Sequence, residues 1–172
     1  MDENNQQFMV FYGFLDDNYI YIDKTETLYK LLNNEKKVFI SRPRRFGKSL
    51  TLDTIGTLFE YGVNPYFKDT WIYDKWTEPT YPVLRIDFLK CSVTDIDDFK
   101  NQFALILNRF ASKHQISEYE QNSDPANALY NLLEALKEED KKVVILIDEY
   151  DRQLTANFSK TALYKQFTEI LC

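Results

Sequence analysis

Short runs of apolar residues alternate along this chain with longer stretches whose apolar positions recur every three or four residues. Three of the short runs are typical of strands buried in a parallel sheet: residues 38–40 (VFI), 83–88 (VLRIDF) and 143–147 (VVILI). Residues 18–22 (NYIYI) alternate between polar and aromatic or aliphatic side chains, which predicts one further short strand.

The longer stretches predict five amphipathic helices. The first begins at Asp23 or Thr25 and ends near residues 33–34, and the second ends at Gly62 and Pro65. The other three begin at Ser92 or Thr94, begin at the segment Ser123-Asp124-Pro125, and run from Leu163 to the last residue.

Strands that alternate with helices and are joined by long crossovers predict an α/β fold with a mainly parallel sheet. We find no internal repeat, low-complexity tract or linker in the 172 residues. The sequence therefore predicts one domain over residues 1–172.

Composition excludes several classes of protein. The 21 Lys and Arg residues against 27 Asp and Glu residues give a net charge of −6, which argues against broad nucleic-acid binding. With 44% hydrophobic and 16% aromatic residues, the chain is not intrinsically disordered. No apolar run approaches the roughly 20 residues of a membrane span, so we expect no membrane contact.

The cellular compartment and the metal chemistry are also constrained. The acidic N-terminus lacks the basic start of a secretory signal, and the two cysteines, Cys91 and Cys172, fit a reducing compartment. We therefore expect a cytoplasmic protein. His114 is the single histidine, so a histidine-rich metal site is excluded; we expect a surface residue at a helix end. Both cysteines lack a supporting base or metal partner, and we interpret them as inert.

The most informative segment is residues 46–49 (FGKS), between a predicted strand and a predicted helix. A bound phosphate needs converging backbone N–H groups, the positive end of a helix dipole and a long cation. Gly47 permits close approach of the backbone, Lys48 supplies the cation, and the Ser49 hydroxyl suits Mg²⁺. Arg42 stands where the full phosphate-loop pattern has its first glycine, whose backbone angles an arginine adopts only at a cost. The alternative interpretation of Lys48 is an ordinary cation at a helix start.

A second informative segment follows residues 143–147, where Asp148 and Glu149 end a predicted strand. Asp148 is placed to hold the water shell of a bound Mg²⁺ opposite Ser49. Glu149 can orient and deprotonate an attacking water, which is the role of a general base. Alone, the pair is more typical of a strand that ends in solvated carboxylates. Its position downstream of the FGKS segment, after a strand of its own, favours nucleotide binding.

Three segments together resemble a known family: residues 21–25 (YIDKT), 42–50 (RPRRFGKSL) and 146–151 (LIDEYD). They are similar to the bacterial AAA-ATPase-like domain family, in which an arginine also replaces the first glycine. The resemblance implies a P-loop NTPase-like three-layer fold that binds ATP and Mg²⁺, with hydrolysis as a further expectation. In that family the ATPase domain commonly precedes a restriction-endonuclease-like domain.

The resemblance also implies a Walker A loop and a Walker B pair. Ser49 and Asp148 are the predicted Mg²⁺ ligands, and Glu149 is the predicted catalytic residue. Tyr150 and Asp151 complete the family signature, and the sequence reveals no role for either. The predicted nucleotide-binding residues are Arg45, Phe46, Gly47, Lys48, Ser49 and Leu50.

Two further features have more than one interpretation. Arg42, Arg44 and Arg45 can act as phosphate clamps, as an arginine finger toward a neighbouring subunit, or as partners of nearby carboxylates. Binding of DNA or RNA through them would be sensitive to salt. The aromatic residues within 59–81 can stack on single-stranded nucleic acid or pack under a long loop. Packing is favoured because the segment's few cations do not interleave with the rings.

The family's ATPase core continues with a fourth strand that carries a sensor residue and a fifth strand, and this sequence ends before either. In that fold class the P-loop strand lies between those two strands, so residues 38–40 would have two unpaired edges. We therefore expect a truncated, incomplete core whose open edge is covered by residues 143–147, by residues 18–22, by a second copy or by a protein partner. The alternative functions are a non-catalytic module that binds or inhibits a larger protein, and a nucleic-acid-handling accessory protein.

Overall fold

The structure is a computed structural model that describes residues 22–41, 43 and 46–171. The chain divides into two compact units, Met1–Tyr81 and Pro82–Cys172. Most of the strand predicted at residues 18–22 lies outside the described residues, as do Arg42, Arg44, Arg45 and Cys172. The assignment of residues 1–172 to one domain stays a prediction.

The described part of the first unit contains two helices, α1 (Thr25–Asn34) and α2 (Lys48–Tyr61). Both confirm helices predicted from the periodicity of the sequence. Before α1, the Thr25 N–H donates a hydrogen bond of 2.8 Å to Asp23 Oδ1. After α2, Gly62 takes a φ of 75°, a conformation in which a residue without Cβ ends a helix at little cost.

Residues 38–40 do not form the strand that the apolar run predicts, and that prediction was wrong. They have no regular secondary structure, and Phe39 is 70% exposed. Three apolar residues fit a strand, but a strand also requires a neighbour for its backbone groups. Among the described residues, no strand pairs with this segment.

The aromatic segment 59–81 packs into a small core with α1 and α2, which confirms the packing interpretation. Phe67 and Ile72 are completely buried, together with Leu58 of α2. The rings of Phe59 and Trp76 meet edge to face with their centroids 5.1 Å apart. This packing does not support stacking on nucleic acid, because the side chains of Phe67 and Ile72 face the core.

Asp23 ties α1 to this aromatic segment. The Trp71 N–H donates to Asp23 Oδ2 at 2.6 Å, and the Ile72 N–H donates to Thr25 Oγ1 at 3.2 Å. Partial burial raises the pKa of the Asp23 carboxyl, but hydrogen bonds from Trp71 and Thr25 outweigh it and hold the pKa below its ordinary value. Asp23 therefore has a long-range structural role in addition to its place at a helix start.

The second unit contains a parallel pair of strands, β1 (Val83–Asp87) and β2 (Val144–Asp148). They confirm two of the predicted strands and the α/β class. The register pairs Val83 with Val144 and continues to Asp87 beside Asp148. β1 is buried as predicted, whereas β2 is only partly buried and its Ile147 is 46% exposed. Within the described residues β2 pairs on one side only.

Between the two strands lie α3 (Ile96–Lys113) and α4 (Pro125–Glu138). Asp95 Oδ1 caps α3 by accepting from Asp98 N at 2.8 Å, so the helix begins one residue later than Thr94 would place it and three residues later than Ser92 would. Asp124 Oδ1 caps α4 through Asn127 N at 3.0 Å, as predicted.

A short 3-10 helix (Phe88–Lys90) follows β1, and two helices follow β2: α5 (Arg152–Asn157) and α6 (Thr161–Leu171). The sequence predicted α6 and missed α5, whose six residues are too few to show a period. The core of this unit joins alternate residues of β1 to the apolar faces of α3, α4 and α6. Its fully buried members include Leu84, Phe99, Leu107, Leu132 and Phe167.

Candidate functional site

The first part of the candidate site is the start of α2. Gly47 is the N-cap residue with φ 73° and ψ 26°, and it has no side chain with which to cap the helix. Thr51 N donates to Gly47 O at 2.9 Å, which closes the first turn. The first turn contains no acidic residue. A helix start of this kind presents backbone N–H groups and a partial positive charge. No carboxylate in this turn competes with a bound anion for those N–H groups.

The space around this helix start also suits a phosphate. A Cβ built on Gly47 would meet no heavy atom of the described residues within 4 Å, so among these residues the backbone is open to an approaching group. Phe46 and Ser49 are exposed and Lys48 is partly buried. The donor set therefore combines backbone N–H groups, an ammonium and a hydroxyl, which fits the oxygen atoms of a phosphate and its metal ion.

The second part of the candidate site is the end of β2. Glu149 N donates to Asp148 Oδ1 at 3.0 Å, and Arg152 N donates to Glu149 O at 3.0 Å. These bonds form a tight turn in which Glu149 has a φ of 53°, an uncommon value for a residue with a side chain. In open parallel sheets, ligands bind outside the carboxyl ends of the strands, which is where these two carboxylates lie.

A third acidic residue, which was not predicted from the sequence, lies at this edge. Asp87 ends β1 in register with Asp148, and its Oδ1 accepts a hydrogen bond of 2.9 Å from Leu89 N. The signal was present, because the runs VLRID and VILID both end in aspartate. Pairing the two runs in parallel register would have brought the two aspartates to one edge of the sheet.

The acidic residues do not by themselves form a closed metal site. Among the described residues, no group of three or more His, Cys, Asp or Glu side chains is arranged to hold a metal ion. Mg²⁺ usually keeps several waters and binds one or two carboxylates together with substrate phosphates. The Asp148 carboxylate and the Ser49 hydroxyl each offer oxygen of the kind that Mg²⁺ binds.

The predicted site residues are divided between the two units. Phe46, Gly47, Lys48, Ser49 and Leu50 lie in the first unit, whereas Asp148 and Glu149 lie in the second unit. Arg45 lies outside the described residues. A cleft of about 300 Å³ opens among residues 108–121, at the carboxyl end of α3, and none of the predicted site residues lines it.

Cys91 and His114, the other two residues considered in the sequence, lie in environments that indicate no catalytic role. Cys91 is buried, and burial raises the pKa of its thiol to about 11, with the carboxylates of Asp87 and Asp98 adding to the effect. A thiol that stays protonated is a poor nucleophile, which agrees with the inert interpretation. His114 follows the last turn of α3 as expected, but it is half-buried rather than a surface residue, and its ring centroid lies 4.6 Å from that of Phe110.

A comparison with protein families decides the relationship that these features suggest. The model of a family described as "Predicted AAA-ATPase" matches residues 8–172. The chain belongs to this family. Residues 46–49 (FGKS) and 147–149 (IDE) both lie within the range that the model of the AAA-ATPase-like family matches.

One curated relative extends the comparison. A protein of Azotobacter chroococcum mcd 1, described as an uncharacterized protein in the vnfD 5′ region, is 33% identical over 156 residues. The alignment covers 89% of this chain and 30% of the relative, so the chain spans about a third of that protein's length. No solved structure matches the chain. The nuclease-like neighbouring domain and the truncation stay predictions.

In the described part of the chain, no helix has both the length and the apolar composition needed to cross a bilayer.

Proposed function

We propose that this chain binds ATP with Mg²⁺ through residues 45–50 and the pair Asp148 and Glu149. The observation that carries the proposal is the start of α2. There Gly47 adopts a left-handed conformation with open space around it, and Lys48 and Ser49 follow in a first turn without acidic residues. Membership of a family described as predicted AAA-ATPases supports the same ligand.

In this proposal the residues of the loop bind and orient the phosphates. Backbone N–H groups at Arg45, Phe46 and Gly47, and at the first positions of α2, donate to phosphate oxygens. The Lys48 ammonium follows the β- and γ-phosphates as a mobile cation. The Ser49 hydroxyl is a ligand of the metal ion, and Leu50 contributes its backbone N–H.

The acidic pair completes the proposed site. Asp148 holds the water shell of the metal ion, and the Glu149 carboxylate accepts a proton from the attacking water. When bound, Mg²⁺ supplies positive charge that neutralises the phosphate oxygens. Hydrolysis is the further step of the proposal, and it depends on Glu149, whereas binding depends on Lys48.

We also propose that the complete fold is the P-loop type with three layers. Within the described residues β2 has a strand on one side only. We propose that a second copy of the chain or a protein partner covers its other side.

Calorimetric titration of the chain with ATP and Mg²⁺ tests the proposed function. We expect Lys48→Ala to weaken binding at least about tenfold, because a hydrogen bond to a charged group contributes about 1.5–3 kcal/mol. Lys36→Ala is the matched control, since it removes the same charge from an exposed position outside the loop. Equal affinities for wild type and Lys48→Ala would end the proposal, and so would the absence of binding to the wild type.

A further inference from the structure

The turn between β2 and α5 holds Glu149 in an unfavourable backbone conformation. Its φ of 53° lies in the left-handed region, which non-glycine residues occupy rarely. Such conformations persist only where the surrounding structure determines them, and they cluster at functional sites. The question is which contacts hold this turn in place.

Two buried amide side chains fasten the helix that follows the turn. Gln153 and Asn157 are 0% exposed and lie four residues apart on one face of α5. Gln153 Nε2 donates to Phe88 O at 3.1 Å, and Asn157 Nδ2 donates to Val93 O at 2.5 Å. Both acceptors belong to the connection that follows β1. α5 is therefore anchored at two points to the connection that follows β1, the strand that neighbours β2.

The hydrogen bond between Gln153 and Phe88 links the two ends of the segment that contains the candidate carboxylates. Asp148 is in register with Asp87, and Phe88 is the next residue after Asp87. From Phe88 O the hydrogen bond leads to Gln153, which follows Asp148 by five residues. The turn that contains Glu149 is thus held at one end by the sheet and at the other by the Gln153 amide.

These amides are poor choices if stability alone matters. Gln153 Oε1 and Asn157 Oδ1 are buried, and neither has a hydrogen-bond partner among the described residues. A buried acceptor without a donor is costly, and an apolar side chain of similar shape would avoid that cost. Phe88 O also accepts from Cys91 N at 3.2 Å, so it would keep a partner if Gln153 lost its amide. Local features that cost stability without an evident structural gain are expected at functional positions.

We infer that Gln153, together with Asn157, is a positioning residue that holds the Asp148–Glu149 turn in the geometry needed to bind the metal ion of a Mg²⁺–nucleotide. The inference rests on the proposed function. It assigns to the amides of α5 a role toward Asp148 and Glu149 comparable to that of the groups that orient metal ligands in other sites. Neither residue contacts the nucleotide in this proposal.

The test uses the whole chain with Gln153→Met, which keeps the length of the side chain and removes the amide. Amide hydrogen exchange of residues 149–152 reports on the turn itself. We expect exchange there to become at least about tenfold faster, because the turn opens locally more often. The thermal midpoint should stay within about 3 °C of the wild-type value, since one hydrogen bond and one unpaired acceptor are lost together.

Titration with a non-hydrolysable ATP analogue, with and without Mg²⁺, reports on the positioning role. We expect Gln153→Met to leave affinity without Mg²⁺ unchanged. The tightening of binding by Mg²⁺ should shrink by about tenfold or more, the usual effect of removing a group that orients a metal ligand. If Gln153 had only a structural role, the variant would change stability but not the ratio of the affinities measured with and without Mg²⁺.

Gln102→Met is the matched control, because Gln102 also fastens the connection after β1. Its Oε1 accepts from Ser92 N at 2.6 Å, and its Nε2 donates to Asp98 Oδ2 at 2.9 Å. Within the described part of the chain, Gln102 makes no hydrogen bond to the turn after Asp148, so this variant should lower the thermal midpoint. It should leave the effect of Mg²⁺ on nucleotide affinity at its wild-type value.

The possible results separate this inference from the proposed function. Wild-type values of turn exchange and of the Mg²⁺ effect in Gln153→Met would overturn the inference while the proposed function stands. Absence of nucleotide binding to the wild type would overturn the proposed function, and with it the role toward the metal ion, while the exchange data still judge the anchor. If Gln153→Met does not fold, Gln153→Asn, whose amide is one methylene shorter, is judged by the same two measurements.

Discussion

At the scale of single residues, the candidate site depends on backbone conformations that few side chains tolerate. Gly47 and Glu149 both have positive φ, of 73° and 53°. Glycine takes this conformation at little cost, whereas a glutamate does so only when its surroundings hold it there. The two halves of the candidate site therefore use the same conformation by different means, one through residue choice and the other through the anchor on α5.

We expect Gly47→Ala to lower the free energy of unfolding by about 1 kcal/mol, because a Cβ in the left-handed region is strained even where space is open. The shifted loop should also weaken ATP binding at least about tenfold, since misplaced N–H groups lose charge-assisted hydrogen bonds. Denaturant unfolding and calorimetric titration measure the two effects.

Gly62→Ala provides the comparison. Gly62 has φ 75° and ψ −160°, a region that is essentially restricted to glycine, so its stability loss should be about 1–3 kcal/mol. It lies at the other end of α2, and its affinity for ATP should match that of the wild type. Equal loss of affinity in both variants would show that Gly47 acts only through stability.

At the scale of elements, hydrogen bonds that involve charged side chains join the end of α3 to the end of α4. Glu139 Oε1, at the end of α4, accepts from Ser117 N at 2.8 Å and from Ser117 Oγ at 3.0 Å. Its other oxygen lies 2.5 Å from Lys141 Nζ, which also donates to His114 O at 3.3 Å. The loop after α3 is thereby attached to the loop after α4.

This attachment predicts a dependence of stability on pH. The hydrogen bond from Lys141, together with those from Ser117, lowers the pKa of Glu139 from 4.5 to about 2. A carboxyl whose pKa is lower in the folded state stabilises the fold above the unfolded value, and this contribution is lost as pH falls. The loss should therefore occur between pH 4.5 and about 2.

We expect Glu139→Gln to be less stable than the wild type at pH 7 and the difference to shrink toward zero as pH falls to about 2. Thermal unfolding of both proteins across that range measures the difference. Glu138→Gln, at the exposed position immediately before it, is the matched control and should follow the wild-type curve. A difference that is constant with pH would show that the carboxylate charge contributes nothing.

At the scale of the whole molecule, the open edge of β2 is the main feature that the described residues leave incomplete. An uncovered strand edge presents unpaired backbone groups and is a template for association with another chain. Ile147 at 46% exposure and Phe39 at 70% exposure add apolar surface that water does not favour. We therefore expect the edge to be covered in solution.

The proposed cover of β2 can be tested through the backbone amides of β2. If a second copy covers the edge, the amides that do not bond to β1 should be protected from hydrogen exchange in the wild type, and sedimentation should show a dimer.

Protected amides in a chain that sediments as a monomer would contradict the second copy. Exposed amides in the isolated wild type would also contradict it and would leave a protein partner as the cover. Either result would leave nucleotide binding to be judged by Lys48→Ala alone.

Much of the secondary structure followed from the sequence because its causes are local. Apolar periodicity determined α1 to α4 and α6, and Asp124 before Pro125 marked the start of α4 where the structure has it. The runs at β1 and β2 and the acidic residue at the end of each were also visible. The FGKS segment and its position before a helix were visible for the same reason, since a helix start is defined by adjacent residues.

Tertiary structure alone decided the rest, because the causes join residues far apart in the chain. The Asp23–Trp71 and Gln153–Phe88 hydrogen bonds link residues 48 and 65 positions apart, which no local pattern encodes. The irregular conformation of residues 38–40, and the pairing of β2 on one side only within the described residues, depend on which strands find partners. The sequence by itself determined the residues available for chemistry, and the long-range contacts determined the conformation in which Glu149 and α5 are held.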